Sequence, residues 1–122
     1  MLAAEAAAVA PAPPPGTRLA SGDCFRTSDI RNHTIADNRT LLIDVQGRGA
    51  YRIGMSGACL AGATSSDPLI MRSPPGSTIA CAPIDLDIGV RHVGGYTSPC
   101  IPESVMKLSE AQVAALPAKL RP

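Results

Sequence analysis

A small, mainly antiparallel β domain held together by disulfides is what this sequence predicts, and three observations predict it. Apolar side chains recur at every second position in its clearest stretches, the period of a half-buried strand. Gly, Pro, Asn and Asp interrupt those stretches at short intervals, as turn residues do. Four cysteines stand far apart in a chain of only 122 residues, with no C-x-x-C pair among them. That usage argues for structural disulfides in an oxidising compartment and against a zinc ribbon or a thioredoxin-type redox site.

The elements follow in order. Residues 1–22 are Ala-rich and then meet Pro11, Pro13, Pro14 and Pro15; they are expected to form a disordered tail ahead of a single β domain over 23–122. No Lys or Arg precedes the apolar run and Glu5 interrupts it, so this is not an intact signal peptide; it reads as a shortened or already processed start, or else as a native cytosolic N-terminus that is Ala/Pro-rich. Asp23 sits where a lipoprotein anchor at Cys24 would want a small residue.

Ile30 to Ala36 reads as a strand that turns through Asp37-Asn38 into 40–46, where Leu41, Ile43 and Val45 alternate with Thr40, Asp44 and Gln46. Only Leu42 breaks the alternation. Gln46-Gly47-Arg48-Gly49 turns the chain into 50–56, with Tyr51, Ile53 and Met55 on one face, completing a three-stranded meander. After a small-residue loop from Ser56 to Thr64, Leu69 to Arg72 and Thr78 to Cys81 are short strands flanking Pro74-Pro75-Gly76. Ile84, Leu86, Ile88 and Val90 then face one way and Asp85, Asp87, Gly89 and Arg91 the other. Gly94-Gly95 returns the chain through Tyr96 to Ile101.

One helix is expected. Ser109 and Gln112 are spaced as a capping box, Pro117 stops the helix after Leu116, and Leu108, Val113 and Leu116 would pack on the sheet. Five to seven short strands with frequent turns point to a small antiparallel β-barrel, OB-like or SH3-like, with this one short C-terminal helix.

The core is thin. Leu, Ile, Val and Phe together number 26 of 122 residues, and there is no Trp, so the aromatic area that dominates many small cores is missing. Two disulfides would compensate. The favoured pairing is Cys24–Cys100, clamping the ends of the domain, with Cys59–Cys81 closing its centre. Loops of that size contribute roughly 4.5 and 3.4 kcal/mol at most on the chain-entropy model.

Eleven basic against ten acidic residues, interspersed along the chain, exclude a polyelectrolyte and show no basic block for a phosphate backbone. Composition also excludes a transmembrane protein, a coiled coil and a large enzyme. The expectation on partners is an envelope protein or a small ligand, with no nucleic acid and no transmembrane segment. No cofactor is expected.

Cys24-Phe25, Ile30-Arg31-Asn32, the run Ala36-Asp37-Asn38-Arg39-Thr40-Leu41-Leu42, Tyr51-Arg52, Cys59, Cys81, Asp85, Cys100-Ile101 and Leu108-Ser109-Glu110 follow one another in a particular order. In that order the chain resembles a bacterial family of short secreted or periplasmic four-cysteine proteins classed as a domain of unknown function. The resemblance covers residues 23–116 and implies export, with no catalytic residues to carry over; Asn38 stands where a second acid is expected.

Chemistry-bearing constellations are few. Gly54-Met55-Ser56-Gly57 lacks the spacing and the strand-to-helix context of a nucleophile elbow. Asp85 and Asp87, two apart on an expected strand, would project from one face and with His33 or His92 could hold a cation, although outward Asp is also how a solvated strand face looks. Arg52 and Arg91 on polar strand faces form a candidate binding face, or else ordinary pairs with Asp44, Asp85 and Asp87. Ser56, Gly57, Thr64, Pro74 and Pro75 form a candidate binding loop. Two N-x-Thr sequons, at Asn32 and Asn38, carry meaning only in a eukaryotic source.

These readings converge on a non-enzymatic exported binding or accessory module of the bacterial envelope. The alternative is a small metal-dependent or hydrolytic enzyme using Asp85, Asp87 and a histidine.

Overall fold

A computed structural model of the chain describes residues 13–64, 67–72, 79–92 and 95–122. Among the described residues, nine strands and one α-helix run in the order β1 (Phe25–Arg26), β2 (Ile30–Asp37), β3 (Thr40–Val45), β4 (Gly49–Met55), β5 (Leu69–Arg72), β6 (Ile79–Ala80), β7 (Asp87–Arg91), β8 (Thr97–Cys100), β9 (Pro102–Lys107) and α1 (Glu110–Ala115). They form a four-stranded sheet β2-β3-β4-β9, a three-stranded sheet β5-β7-β8 and the pair β1-β6, every ladder antiparallel. None of the three sheets closes on itself among the described residues. The OB-like or SH3-like barrel expected from the strand count is thereby reduced to its coarser part, a mainly β domain with one short helix.

The meander and the second hairpin both form, and β3 pairs β4 from Thr40–Gly54 to Val45–Gly49 where 40–46 with 50–56 is expected. Ile43 opposes Tyr51 across β3 and β4, and Val90 opposes Ser98 across β7 and β8. The β3–β4 connection is tight because Gly47 and Gly49 take φ of +77° and +97°, a region where a Cβ clashes. Of the Gly94-Gly95 turn, Gly94 lies outside the described residues, as do Pro74, Pro75 and Gly76; Gly95 has φ of +90°.

Leu41, Ile43, Val45, Tyr51, Ile53, Met55 and Val105 on one face of the large sheet share a core with Ile88, Val90 and Cys100 of the three-stranded sheet and with Phe25 and Ala80 of the pair. The opposite face carries a second core. Leu42, Ala50, Leu108 and Leu116 are buried there, with Val113 and Leu120 packed against them. Leu42 breaks the alternation of β3 because β3 is covered on both faces, and its exposure is 0%.

Three expectations are corrected. The disulfides are Cys24–Cys81 and Cys59–Cys100, not Cys24–Cys100 and Cys59–Cys81. Phe25 pairs with Ala80 in the antiparallel β1–β6 ladder, which sets Cys24 opposite Cys81 at the next position, with Cα atoms 4.6 Å apart. The Ser56 amide donates to the Ile101 carbonyl, bringing the loop that carries Cys59 to the end of β8 that carries Cys100.

Secondly, Ile84 does not continue the strand of Leu86, Ile88 and Val90. Residues Pro83–Asp85 form a 3-10 turn, and Ile84 is 84% exposed. Pro83 has no N–H for a ladder, and the Asp85 carboxylate accepts from the amides of Cys81 and Ala82, both at 2.9 Å.

Thirdly, residues 16–19 of the stretch expected as a tail contact the domain. Residues 1–12 lie outside the described residues, but the Gly16 amide donates to the Glu103 carbonyl and the Leu19 amide to the Cys81 carbonyl. Leu19 packs against the main core, so the stretch beyond Pro15 is docked on the domain. β9, unheralded in the sequence, adds to β4 as the fourth strand of the large sheet, one residue after β8 ends. The chain switches sheets at Ile101, a corner of the kind that joins packed sheets.

Candidate binding sites

The residues singled out in the sequence are scattered. Asp85 is committed to two backbone amides on its 3-10 turn. Asp87 is exposed at the start of β7 and His92 lies just past its end, about 16 Å away at ~3.3 Å per strand residue. The expected carboxylate pair on one strand face is therefore not formed, and the alternative cation site of Asp85, Asp87 and His92 is not assembled. Among the described residues no three His, Cys, Asp or Glu side chains converge as metal ligands. His92 instead sets its Nε2 2.8 Å from the Ser98 hydroxyl and stacks on Tyr96, ring centres 4.6 Å apart. His33 Nε2 lies 3.1 Å from the Asp67 carbonyl.

Arg52 and Arg91 share no face. Arg91 is exposed at the end of β7, whereas Arg52 sits within β4 of the other sheet at 9% exposure. The expected ion-pair partner Asp44 is taken by Arg31 at 2.8 Å. Of the candidate loop, Ser56, Gly57 and Thr64 are exposed, and the segment is tied to β8 through Cys59–Cys100 rather than to Cys81.

Concave surfaces among the described residues include a cleft of about 810 Å³ between the β3–β4 turn and the C-terminal segment, which gathers Arg31, Arg48, Lys107 and Arg121. Its bases are engaged within the fold. Arg31 holds Asp44, Arg48 the Gly22 carbonyl, Lys107 approaches Asp23, and Arg121 holds the carbonyls of Leu116 and Ala114.

A groove of about 660 Å³ runs where the N-terminal segment passes the Pro83–Asp85 turn and the β8–β9 corner. Ala82, Leu86 and Cys100 form buried lining, while Ile84 at 84% and Ile101 at 71% exposure project beside it. Pro15, Pro83 and Pro102 add walls without N–H donors, and Arg18, Asp87 and Glu103 place charge at its margins.

A third pocket, of about 490 Å³, opens on the helix-covered face of the large sheet beside the β2–β3 turn. Pairing sets Thr40 opposite Gly54, and Gly54 opposite Ser104, across β3, β4 and β9. Arg52, two residues before Gly54, therefore shares their face. Its Nη2 donates to Thr40 Oγ1 over a long 3.4 Å. Its Nε and Nη1, and the Ser104 hydroxyl, are buried with no hydrogen-bond partner among the described residues. Burial pushes the Arg52 guanidinium below its ordinary value, and nearby Asp37 pushes it back up. Arg39 closes the rim, donating to Glu103 at 3.1 Å and to the Met55 and Ser56 carbonyls at 3.2 Å. Sequence reasoning placed Arg52 on a solvated face; the missed signal was Leu42, which opposes Arg52 across the ladder and reports that this face is covered.

No protein family, curated protein or solved structure matches the chain, so the resemblance to a bacterial four-cysteine family rests on the quoted residues alone. Two disulfides are present and, among the described residues, no helix is long and apolar enough to cross a membrane. The disulfides fit an oxidising compartment.

Proposed function

We propose that this protein is a non-enzymatic binding module exported to the periplasm or beyond, where it seats an extended apolar segment of an envelope protein in the groove beside Ile84 and Ile101. One observation carries the reading: two large aliphatic side chains stand 84% and 71% exposed beside the same groove. Scattered exposed aliphatics are ordinary, but a contiguous apolar surface rimmed by charge marks a recognition site. The local backbone favours a rigid receptor. Asp85 fixes the turn that presents Ile84 through its two amide bonds, and the Cys59–Cys100 bridge anchors the strand end that presents Ile101. Both anchors are formed before any partner arrives, which reduces the ordering cost of association.

A photo-cross-linkable residue at position 84 tests this in cells of the source organism, with the same residue at position 91 as control. The reading expects one dominant adduct from position 84, lost in the second-site variant Ile101→Asp and absent from position 91. Equal, diffuse labelling from both positions would count against it.

A further inference from the structure

We propose that the pocket over Gly54 is a separate binding site for the carboxylate group of a small ligand, with the Arg52 guanidinium and the Ser104 hydroxyl as its donors. The inference is independent of the apolar groove and stands or falls without it.

The argument starts from an imbalance. An arginine keeps its charge inside a protein, and an ionised group taken out of water is costly unless something pairs with it. Arg52 is nine-tenths buried, yet only Nη2 meets an acceptor, and that contact is long at 3.4 Å. Its Nε and Nη1 have none among the described residues, and the buried Ser104 hydroxyl shares that condition. These three atoms, two of them on one guanidinium, lie on the neighbouring strands β4 and β9, and a buried polar group without a partner calls for an explanation.

The orphans also converge. A Cβ built on Gly54 would fall 2.4 Å from Ser104 Oγ and 3.3 Å from Arg52 Nη1. Glycine at 54 thus spares Ser104 Oγ a collision with a Cβ and lets both side chains approach the same spot, in the wall of a pocket that Arg52, Gly54 and Ser104 line together. The pocket's volume of about 490 Å³ falls within the size range of small-molecule sites, about 300–1,000 Å³.

Charge selects the kind of oxyanion. A guanidinium fork suits carboxylate and phosphate alike. But Arg52 and Arg39 are opposed in this pocket by Asp37 and Glu103, and Arg39 is already paired with Glu103. Two bases already face two acids, so a singly charged carboxylate meets less repulsion from Asp37 and Glu103 than a doubly charged phosphate does.

The test titrates the full ¹⁵N-labelled protein with sodium acetate, inorganic phosphate or sodium chloride at constant ionic strength and neutral pH. The readouts are the Arg52 Nε–H resonance and the amides of Thr40, Gly54 and Ser104. A saturable shift confined to these signals is expected with acetate, a weaker one with phosphate and none with chloride. Ser104→Ala is the decisive variant, because it removes an unsatisfied buried hydroxyl. It should melt no lower than the parent and bind acetate about tenfold more weakly, the usual effect of losing a hydrogen bond to a charged group. Arg52→Lys, which keeps the charge but loses the fork, should abolish the saturable shift. Absence of saturation with acetate, tighter binding of phosphate, or unchanged affinity in Ser104→Ala would each overturn the proposal.

Discussion

Tyr51 illustrates how much one position carries. It is fully buried in the main core, tilts against Phe25 with ring centres 4.6 Å apart, and donates its hydroxyl to the Asp23 carbonyl at 2.6 Å. Period two in 50–56 was enough to place its ring inward; nothing in the sequence indicated that its hydroxyl would tie the chain entry to the sheet. Burial, with Asp23 adding and Arg48 subtracting, raises its pKa above the ordinary tyrosine value of 10.0. The folded state therefore holds the phenolic proton more tightly than the unfolded chain does. The stability this supplies is complete below about pH 10 and is lost as pH rises through the unfolded and then the folded pKa. Tyr51→Phe is expected to cost about 1 kcal/mol at neutral pH and to fall off less steeply than the parent above about pH 10. Chemical denaturation across that range checks both; parallel pH curves would refute the assignment. Arg52 was harder to read, because a charged residue in phase with Thr40 and Asp44 looks solvated until the opposite strand positions are known.

At the scale of elements, legibility followed length. β2, β3 and β4 have six to eight residues each, enough for a period to declare itself. β1 and β6 have two each, too few to show a pattern; β9 has six, but Pro102-Glu103-Ser104-Val105-Met106-Lys107 does not alternate apolar with polar, and it begins one residue beyond β8. The helix was legible from its ends rather than its period: the Gln112 amide donates to Ser109 Oγ at 3.1 Å, and the Ser109 amide to Gln112 Oε1 at 2.8 Å. Ser109→Ala should cost about 1 kcal/mol. Because this segment covers Leu42 and Ala50, the loss should appear first as faster amide exchange in residues 110–116, measurable by hydrogen exchange. Uniform acceleration across the large sheet would mean that the cap is not local.

For the whole molecule, the cysteines govern. Cys24–Cys81 spans 57 positions and Cys59–Cys100 spans 41. Each loop contributes about 4 kcal/mol at most on the chain-entropy model. The two loops overlap in sequence, so their effects do not simply add. Peptide mapping without reductant should recover 24–81 and 59–100 as linked pairs, and reduction should lower the melting temperature by well over ten degrees, since a domain of this size shifts ~4–8 °C per kcal/mol. A protein that melts unchanged after full reduction would show that the core suffices alone.

Sequence by itself determined the class of structure, the meander and second hairpin, the capped helix and the use of all four cysteines in disulfides, because each is written in local spacing along the chain. Tertiary structure alone decided which cysteines meet, that Ile84 stands outside the strand, that the chain changes sheets at Ile101, and that Arg52 is enclosed with Ser104. Those outcomes depend on which strands lie side by side and what covers each face, and residues brought together from distant parts of the chain leave no periodic trace in either partner's own neighbourhood.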